Sequence, residues 1–516
     1  NKITKIHHII SALALAGTMA FGFSSCISDD SELGSNNLPS LQIAGAGATE
    51  MPKYNIYLGN ECVIKPQITY DGGNESELKY SWKIGSYANG MKGELTEVST
   101  DSELHYNFDK GGSYYVHLTV TDGKVGKVVE YQVNVNRTFE EGYMLTSTDA
   151  DGKGNLVFVK IMTPEEIAAG QEPVIMEHSM EKMNSNVSEN GLINAILCKL
   201  QLGYKEYLTR LCVATEKSCY ILDPNNMTVI SQLNFDDLIP GFKATDFILD
   251  SYAPYAYDAE KKKFAHIELT YLFPYSKESF TNCHPEKFII SKYSSWGNEA
   301  LWTFYLNYTD NKVIIYSPYA SYFGYDTDFP DTENFFDGHS IITAFYGDSP
   351  NANYITPSYF LTRNNQNGDI TLWTDAEDSY FYKQENLTTQ AFTPTANTAV
   401  PEKGTTFVVS PKQQRYFYPL NNSVYVLLPK SDFALPEKSQ YAIHFGADEE
   451  VTFLDVNFTT DELYVATYDK TSKRGSFYIY DCKDVRTDNG ANVKPKAEYR
   501  HCAGKISNII YKPSVQ

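Results

Sequence analysis

Short runs of alternating apolar and polar residues recur along this chain. Val116, Leu118 and Val120 alternate with His117 and Thr119, which gives that segment one apolar face and one wet face, as a half-buried strand requires. Residues 51–136 contain six such runs: NIYLG, CVIKPQITY, LKYSWKIG, ELHYNF, SYYVHLTVTD and VVEYQVNVN. They predict a small β-sandwich.

Residues 137–516 are organised by self-similarity. LCVATEKSCYILD at 211–223 matches LYVATYDKTSKRGSFYIYD at 463–481: an apolar residue, x-Val-Ala-Thr, a polar turn, then aromatic-Ile-x-Asp. Weaker copies begin at residues 143, 255, 302, 359 and 416. One hairpin recurs every ~50 residues, a repeat length typical of blade architectures. A lone hairpin cannot bury both of its faces, whereas four-stranded blades stacked radially can. The pattern predicts an all-β chain ending in a β-propeller of seven blades. The copies at 255 and 302 are weak enough to leave six or eight as alternatives. A lead strand, VTFLDVNFT, precedes the hairpin at 463. ISNIIYKPS at 506–514 looks like a lead strand with no hairpin after it, and the hairpin at 143 has none before it. One blade built from both segments would close the ring and leave no open edge.

The first residues follow another pattern. Lys2 and Lys5 precede the uncharged run IISALALAGTMAFGF at 9–23, then Ser24, Ser25 and Cys26. The run is short for a membrane span. Charge, apolar stretch, small residues and cysteine in this order resemble an exported bacterial lipoprotein precursor. The resemblance implies cleavage before Cys26 and acylation there, with a plain signal peptide as the alternative. More than one acyl chain would anchor the protein stably. Asp29, Asp30 and Glu32 follow, in a segment with the composition of a solvated tether. They also resemble the surface-export signal of Bacteroidota lipoproteins, which implies an outer-membrane protein facing the extracellular side. The expected organisation is a signal peptide at 1–25, a flexible acidic tether at 26–50, the sandwich at 51–136 and the propeller at 137–516.

Composition narrows the partners. The formal net charge is −21, which repels nucleic acid and anionic lipid surfaces. The abundance of aromatics, 40 Tyr and 28 Phe, suits a β-rich exported chain. Beyond Cys26 there are seven cysteines and no CxxC, so no disulfide framework or zinc knuckle is declared. If Glu216-Lys217 is the turn of CVATEKSC, Ala214 faces Cys219 and a Cys212–Cys219 bridge needs a shifted register. Buried free thiols are expected instead.

Strong catalytic motifs (HExxH, GxSxG, a P-loop) are missing from the sequence. TDADGKGN at 148–155 offers Asp149, Asp151 and Asn155 in partial likeness to a calcium loop. Its glycine falls two places early, and a hairpin turn explains it. No metal or cofactor site is expected. The most distinctive segment is YSPYASYFGYDTDFPDTENFFDGH at 316–339, which reads as a long loop on a propeller face. Tyr319, Tyr322, Tyr325, Asp326, Asp328 and Asp331, together with Trp296, form the candidate ligand or partner surface. Rings there would stack on sugars or peptide side chains while carboxylates accept hydrogen bonds.

Phe108, Gly112, Tyr114, Val116, Leu118, Val120, Asp122 and Gly126 stand in the order of an aromatic, Gly turn, alternating strand and TDxxG hairpin. In this they resemble the end of a PKD-type immunoglobulin-like domain, usually a spacer. Lipobox, acid, PKD-like module and propeller in sequence resemble the PKD-like family lipoproteins of Bacteroidota. That resemblance implies a non-catalytic accessory subunit beside a SusC-like TonB-dependent barrel and its SusD-like lipoprotein lid, in importers devoted to oligopeptides. The alternatives are an independent surface glycan-binding protein and, less favoured, a propeller glycoside hydrolase or lyase. The latter would gather its carboxylates from distant blades.

Overall fold

A computed structural model of the chain describes residues 38–514 apart from several breaks, the longest at 279–284, 291–302, 317–335, 348–357 and 376–386. The chain divides into two compact units. The first runs to Asn134, less residues 55–60 and 108–111, and the second holds those two segments and Val135 onward.

In the first unit, one sheet orders Lys53–Tyr57, Gly126–Asn136, Gly112–Thr121, Lys79–Ala88 and Met91–Lys92, with Thr96–Ser99 also paired to Lys79–Ala88. Trp82 lies opposite Leu118 and Ile84 opposite Val116. Trp82 is fully buried, stacks on Tyr131 with centroids 6.2 Å apart, and donates its indole N–H to Asp101 O at 2.7 Å. The large ring is thus buried without orphaning its one donor. Asp122 organises the TDxxG hairpin: its Oδ1 accepts from the Lys124 and Val125 N–H groups, each at 2.7 Å. One boundary differs from expectation. Leu41–Ile43, inside the 26–50 segment read as tether, pairs with Ile68–Tyr70, and Leu41 and Ile43 are buried. Two apolar residues at alternate positions suffice to dock it.

The second unit is propeller-like: it holds seven small sheets, six of which pair only strands that are neighbours in sequence. Six have four strands, and the fourth shows three among the described residues. Every predicted hairpin is a pair of adjacent strands, the middle pair in the six four-stranded sheets and the second and third strands of the fourth. Those pairs are Gly142–Thr148 with Gly154–Lys160, Glu206–Thr215 with Ser218–Leu222, Ala253–Asp258 with Lys263–Glu268, and Thr303–Asn307 with Lys312–Tyr316. Ser358–Asn364 with Ile370–Asp375, Arg415–Leu420 with Ser423–Leu427, and Glu462–Asp469 with Arg474–Asp481 complete the set. The first sheet takes its leading strand from the end of the chain. Lys505–Lys512 pairs antiparallel with Gly142–Thr148, placing Tyr143 opposite Tyr511.

Strands such as Ser218–Leu222 and Ser423–Leu427 are buried on both faces, so they read as continuous apolar runs instead of alternations. On Arg474–Asp481, Phe477 and Ile479 join one apolar cluster while Tyr478 and Tyr480 join another. Successive sheets share such clusters. The first and second meet through Phe158 and Leu211, the second and third through Ile221 and Phe247, and the third and fourth through Tyr257 and Phe288. The fourth and fifth meet through Leu306 and Phe360, the fifth and sixth through Phe345 and Tyr416, and the sixth and seventh through Phe417 and Leu463. The seventh meets the first through Phe477 and Tyr143. Each large buried side chain is worth about 1.5–3 kcal/mol, and sharing across both faces leaves no sheet to stand alone.

A single turn design recurs between strands. Asp223, Asn364, Asn457 and Asp469 each accept, on the side chain, the N–H two residues on. Each also accepts, on its carbonyl, the N–H four residues on. That fourth residue is left-handed: Met227, Gly368, Asp461 and Lys473. Asn and Asp serve because their short side chains mimic the missing backbone turn.

Candidate functional site

The residues predicted to form a binding surface, Trp296, Tyr319, Tyr322, Tyr325, Asp326, Asp328 and Asp331, lie outside the described residues. So do Cys26, Asp29, Asp30 and Glu32. The chemistry that can be described lies elsewhere in the second unit.

The leading strands of five sheets converge on one cavity of about 250 Å³. They are Lys287–Ile290, His339–Tyr346, Val408–Ser410, Glu449–Asn457 and Lys505–Lys512. Phe288, Phe345, Phe407, Phe453 and Phe458 make much of the wall, and Lys287 and Asp455 are its charged residues. A mostly apolar concavity with a few placed polar groups is the usual form of a small-ligand site.

Lys287 is held by a distant loop. Its Nζ donates to Gly404 O and, at 2.7 Å, to Thr406 Oγ1. That loop is fixed in turn: Gly404 N–H donates to Ile342 O at 2.8 Å, and Thr343 Oγ1 donates to Thr405 O at 2.7 Å. Gly404 has φ +81, a conformation that a side chain would strain. Burial lowers the Lys287 pKa to about 8, because a low-polarity surround disfavours the charged amine. Its side chain is half-buried, so the ammonium retains a path to solvent.

A second cavity, about 440 Å³, lies between the sixth and seventh sheets. Tyr441, His444, Tyr478, Tyr480, Glu498 and Arg500 are among its lining residues. Tyr441 stacks on His444 at 4.6 Å and 23°, and His444 Nδ1 lies 2.8 Å from Ser423 Oγ.

A polar cluster joins the seventh sheet to the first. Arg474 donates to both oxygens of Glu177, at 3.1 and 2.5 Å, and to His501 O at 2.9 Å. Burial pushes Glu177 up, but Arg474 and the Asn155 amide outweigh it and its pKa is lowered. Asn155 also donates to Asp149 Oδ1 at 2.9 Å, so two residues of the calcium-like loop do meet, as a hydrogen bond closing a turn. Gly152, at φ +86, supplies the bend. Glu189 is fully buried and accepts from the N–H groups of Leu156, Met180 and Glu181 at 2.7, 2.9 and 3.2 Å. Every partner here is structural, so the cluster reads as a clamp. Among the described residues, no group of three or more His, Cys, Asp or Glu is placed to hold a metal ion. Cys62, Cys198, Cys212, Cys219, Cys482 and Cys502 are free and buried, and Ala214 does face Cys219.

Lys287 escaped sequence reasoning because NCHPEKFII resembles any strand entry with a solvated lysine. The partners that bury it lie more than a hundred residues away, and no local signal marks them.

No family model and no curated protein matches the chain. Among solved structures, it is similar to a quinoprotein alcohol dehydrogenase-like protein of Bacteroides thetaiotaomicron. The identity is 14%, covering 91% of this chain and 99% of that one at TM-score 0.45. The extracellular domain of a one-component system from the same species is 8% identical, covering 82% and 60% at TM-score 0.36. An apocarotenoid oxygenase of Synechocystis is 11% identical, covering 88% and 96% at TM-score 0.34. At such distances no activity passes from these proteins to this chain.

Proposed function

We propose that this chain is a non-catalytic, lipid-anchored accessory subunit of a SusC/SusD-type outer-membrane importer. It is held outside the cell by acylated Cys26 and captures oligopeptides beside the transporter. In this reading the first unit is a PKD/Ig-like spacer and the seven sheets are the blades of a closed propeller. The pairing of Lys505–Lys512 with Gly142–Thr148 and the cluster shared by the seventh and first sheets support closure. The observation that carries the binding role is the convergence of five leading strands on one apolar cavity with a stationed lysine. The membrane role rests on the pattern of residues 2–32. A capture module tethered near an importer raises local ligand concentration without any chemistry of its own.

Affinity isolation from detergent-extracted membranes tests this. The expected result is recovery of a TonB-dependent barrel and a lipoprotein lid with the wild type and their loss with C26A. Recovery of the wild-type protein alone would contradict it.

A second reading, an independent glycan-binding protein, draws on the cavity between the sixth and seventh sheets. Its tyrosines and its Glu498 and Arg500 offer stacking faces and hydrogen-bonding groups of the kind sugars use. Retention on a polysaccharide affinity gel, lost with Y441A, would favour it.

A further inference from the structure

We infer that the five-strand cavity binds the carboxylate of a small ligand bearing an apolar group, such as the last residue of a short peptide, with Lys287 as its anion anchor. This deepens the proposed capture role and rests on it.

The ammonium is fixed in place. Two of its three N–H groups go to Gly404 O and Thr406 Oγ1, both neutral, and the third has no partner among the described residues. No carboxylate among those residues forms an ion pair with it. Asp455, the acid in the same wall, has its Oδ1 engaged by the Val456 N–H at 2.8 Å. Drawing a cation partly out of water is costly, and an incoming carboxylate offsets that cost with a charge-assisted hydrogen bond. Burial, the cause of its lowered pKa, still leaves the amine largely protonated near neutrality.

The remaining wall selects what accompanies the carboxylate. Phe288, Phe453 and Phe458 line the cavity and are half-buried, so its wall is largely apolar and suits an apolar group. The volume, about 250 Å³, falls below the ~300–1,000 Å³ of drug-sized sites. It suits one residue, not a chain.

Calorimetric titration of the purified full-length protein with N-acetylphenylalanine and with N-acetylphenylalaninamide tests the assignment. The acid is expected to bind saturably and the amide not. K287M should weaken acid binding at least tenfold, and K287R should retain most of it. In the wild type, acylation of Lys287 by a succinimidyl ester, followed by peptide mass spectrometry, should be slowed by the acid and not by the amide. Equal binding of acid and amide, binding of neither, unchanged binding in K287M, or acylation indifferent to the acid would each overturn it. Importer subunits are isolated in parallel with K287M. A complex that persists without acid binding sinks this site alone, whereas acid binding without any complex sinks only the importer reading.

Discussion

Tyr143 and Tyr511 sit directly opposite each other on paired strands, their rings 6.0 Å apart and tilted by 55°. They come from the first and last strands of the second unit, and Tyr143 also meets Phe477 of the seventh sheet edge-on at 5.0 Å. One ring therefore touches both its own sheet and the next.

That junction should be the weakest point at which to cut. Ile509, on Lys505–Lys512, is 2% exposed and packs in the same cluster. I509D buries a charge there and should cost at least ~3 kcal/mol. Removing Lys505–Lys512 should abolish the cooperative transition of the second unit, because Gly142–Thr148 loses its partner. Urea titration followed by far-ultraviolet circular dichroism checks both.

The Arg474–Glu177 clamp predicts an acid response. The Glu177 pKa is lowered in the folded state, so its contribution is present above the ordinary carboxylate pKa and disappears as pH falls through the lowered value. E177Q should be less stable than the wild type at pH 7, by ~1–3 kcal/mol, and the gap should narrow toward pH 3. Urea midpoints measured across that range decide it. A constant gap would remove the ion pair from the account.

Left-handed non-glycine turn residues offer stabilising changes. Gln414 and Lys473 have φ of 52° and 58°, which costs an L-residue ~1–2 kcal/mol that glycine escapes. Q414G and K473G should each raise stability by up to ~1 kcal/mol, and additively, since different turns hold them. Differential scanning calorimetry of the single and double variants reads this.

The buried thiols should be silent. The Cys198 pKa is raised by its hydrogen bond to Cys212 and then by burial, and Cys212 is raised as well. A buried protonated thiol is a poor nucleophile. Iodoacetamide at pH 8 should leave both unlabelled in the folded protein and label both in urea without reductant. Labelling that requires reductant would reveal a disulfide.

Much of the fold was legible from the residues. The Val-Ala-Thr repeats marked middle strands because burial on both faces forces apolar residues at successive positions, as at Phe477 and Tyr478. ISNIIYKPS stood out because its apolar residues had no hairpin to follow. The Asx turns were legible in principle, since Asn457 and Asp469 each precede a left-handed residue by four. Composition hid them, because Lys473 and Met227 do not look like turn residues. Leu41–Ile43 was missed because three residues of alternation inside a polar segment give too little signal. The cavity was out of reach, since Lys287 gains its role only when Gly404 and Thr406 are brought across from another sheet.

Ligand uptake by cells at limiting concentration tests the capture role most directly. Oligopeptide import should be compared between cells with wild-type protein and cells with C26A. Tethered capture predicts a higher half-saturation concentration in C26A with an unchanged maximal rate, because only local concentration is lost. Superimposable uptake curves would contradict the account.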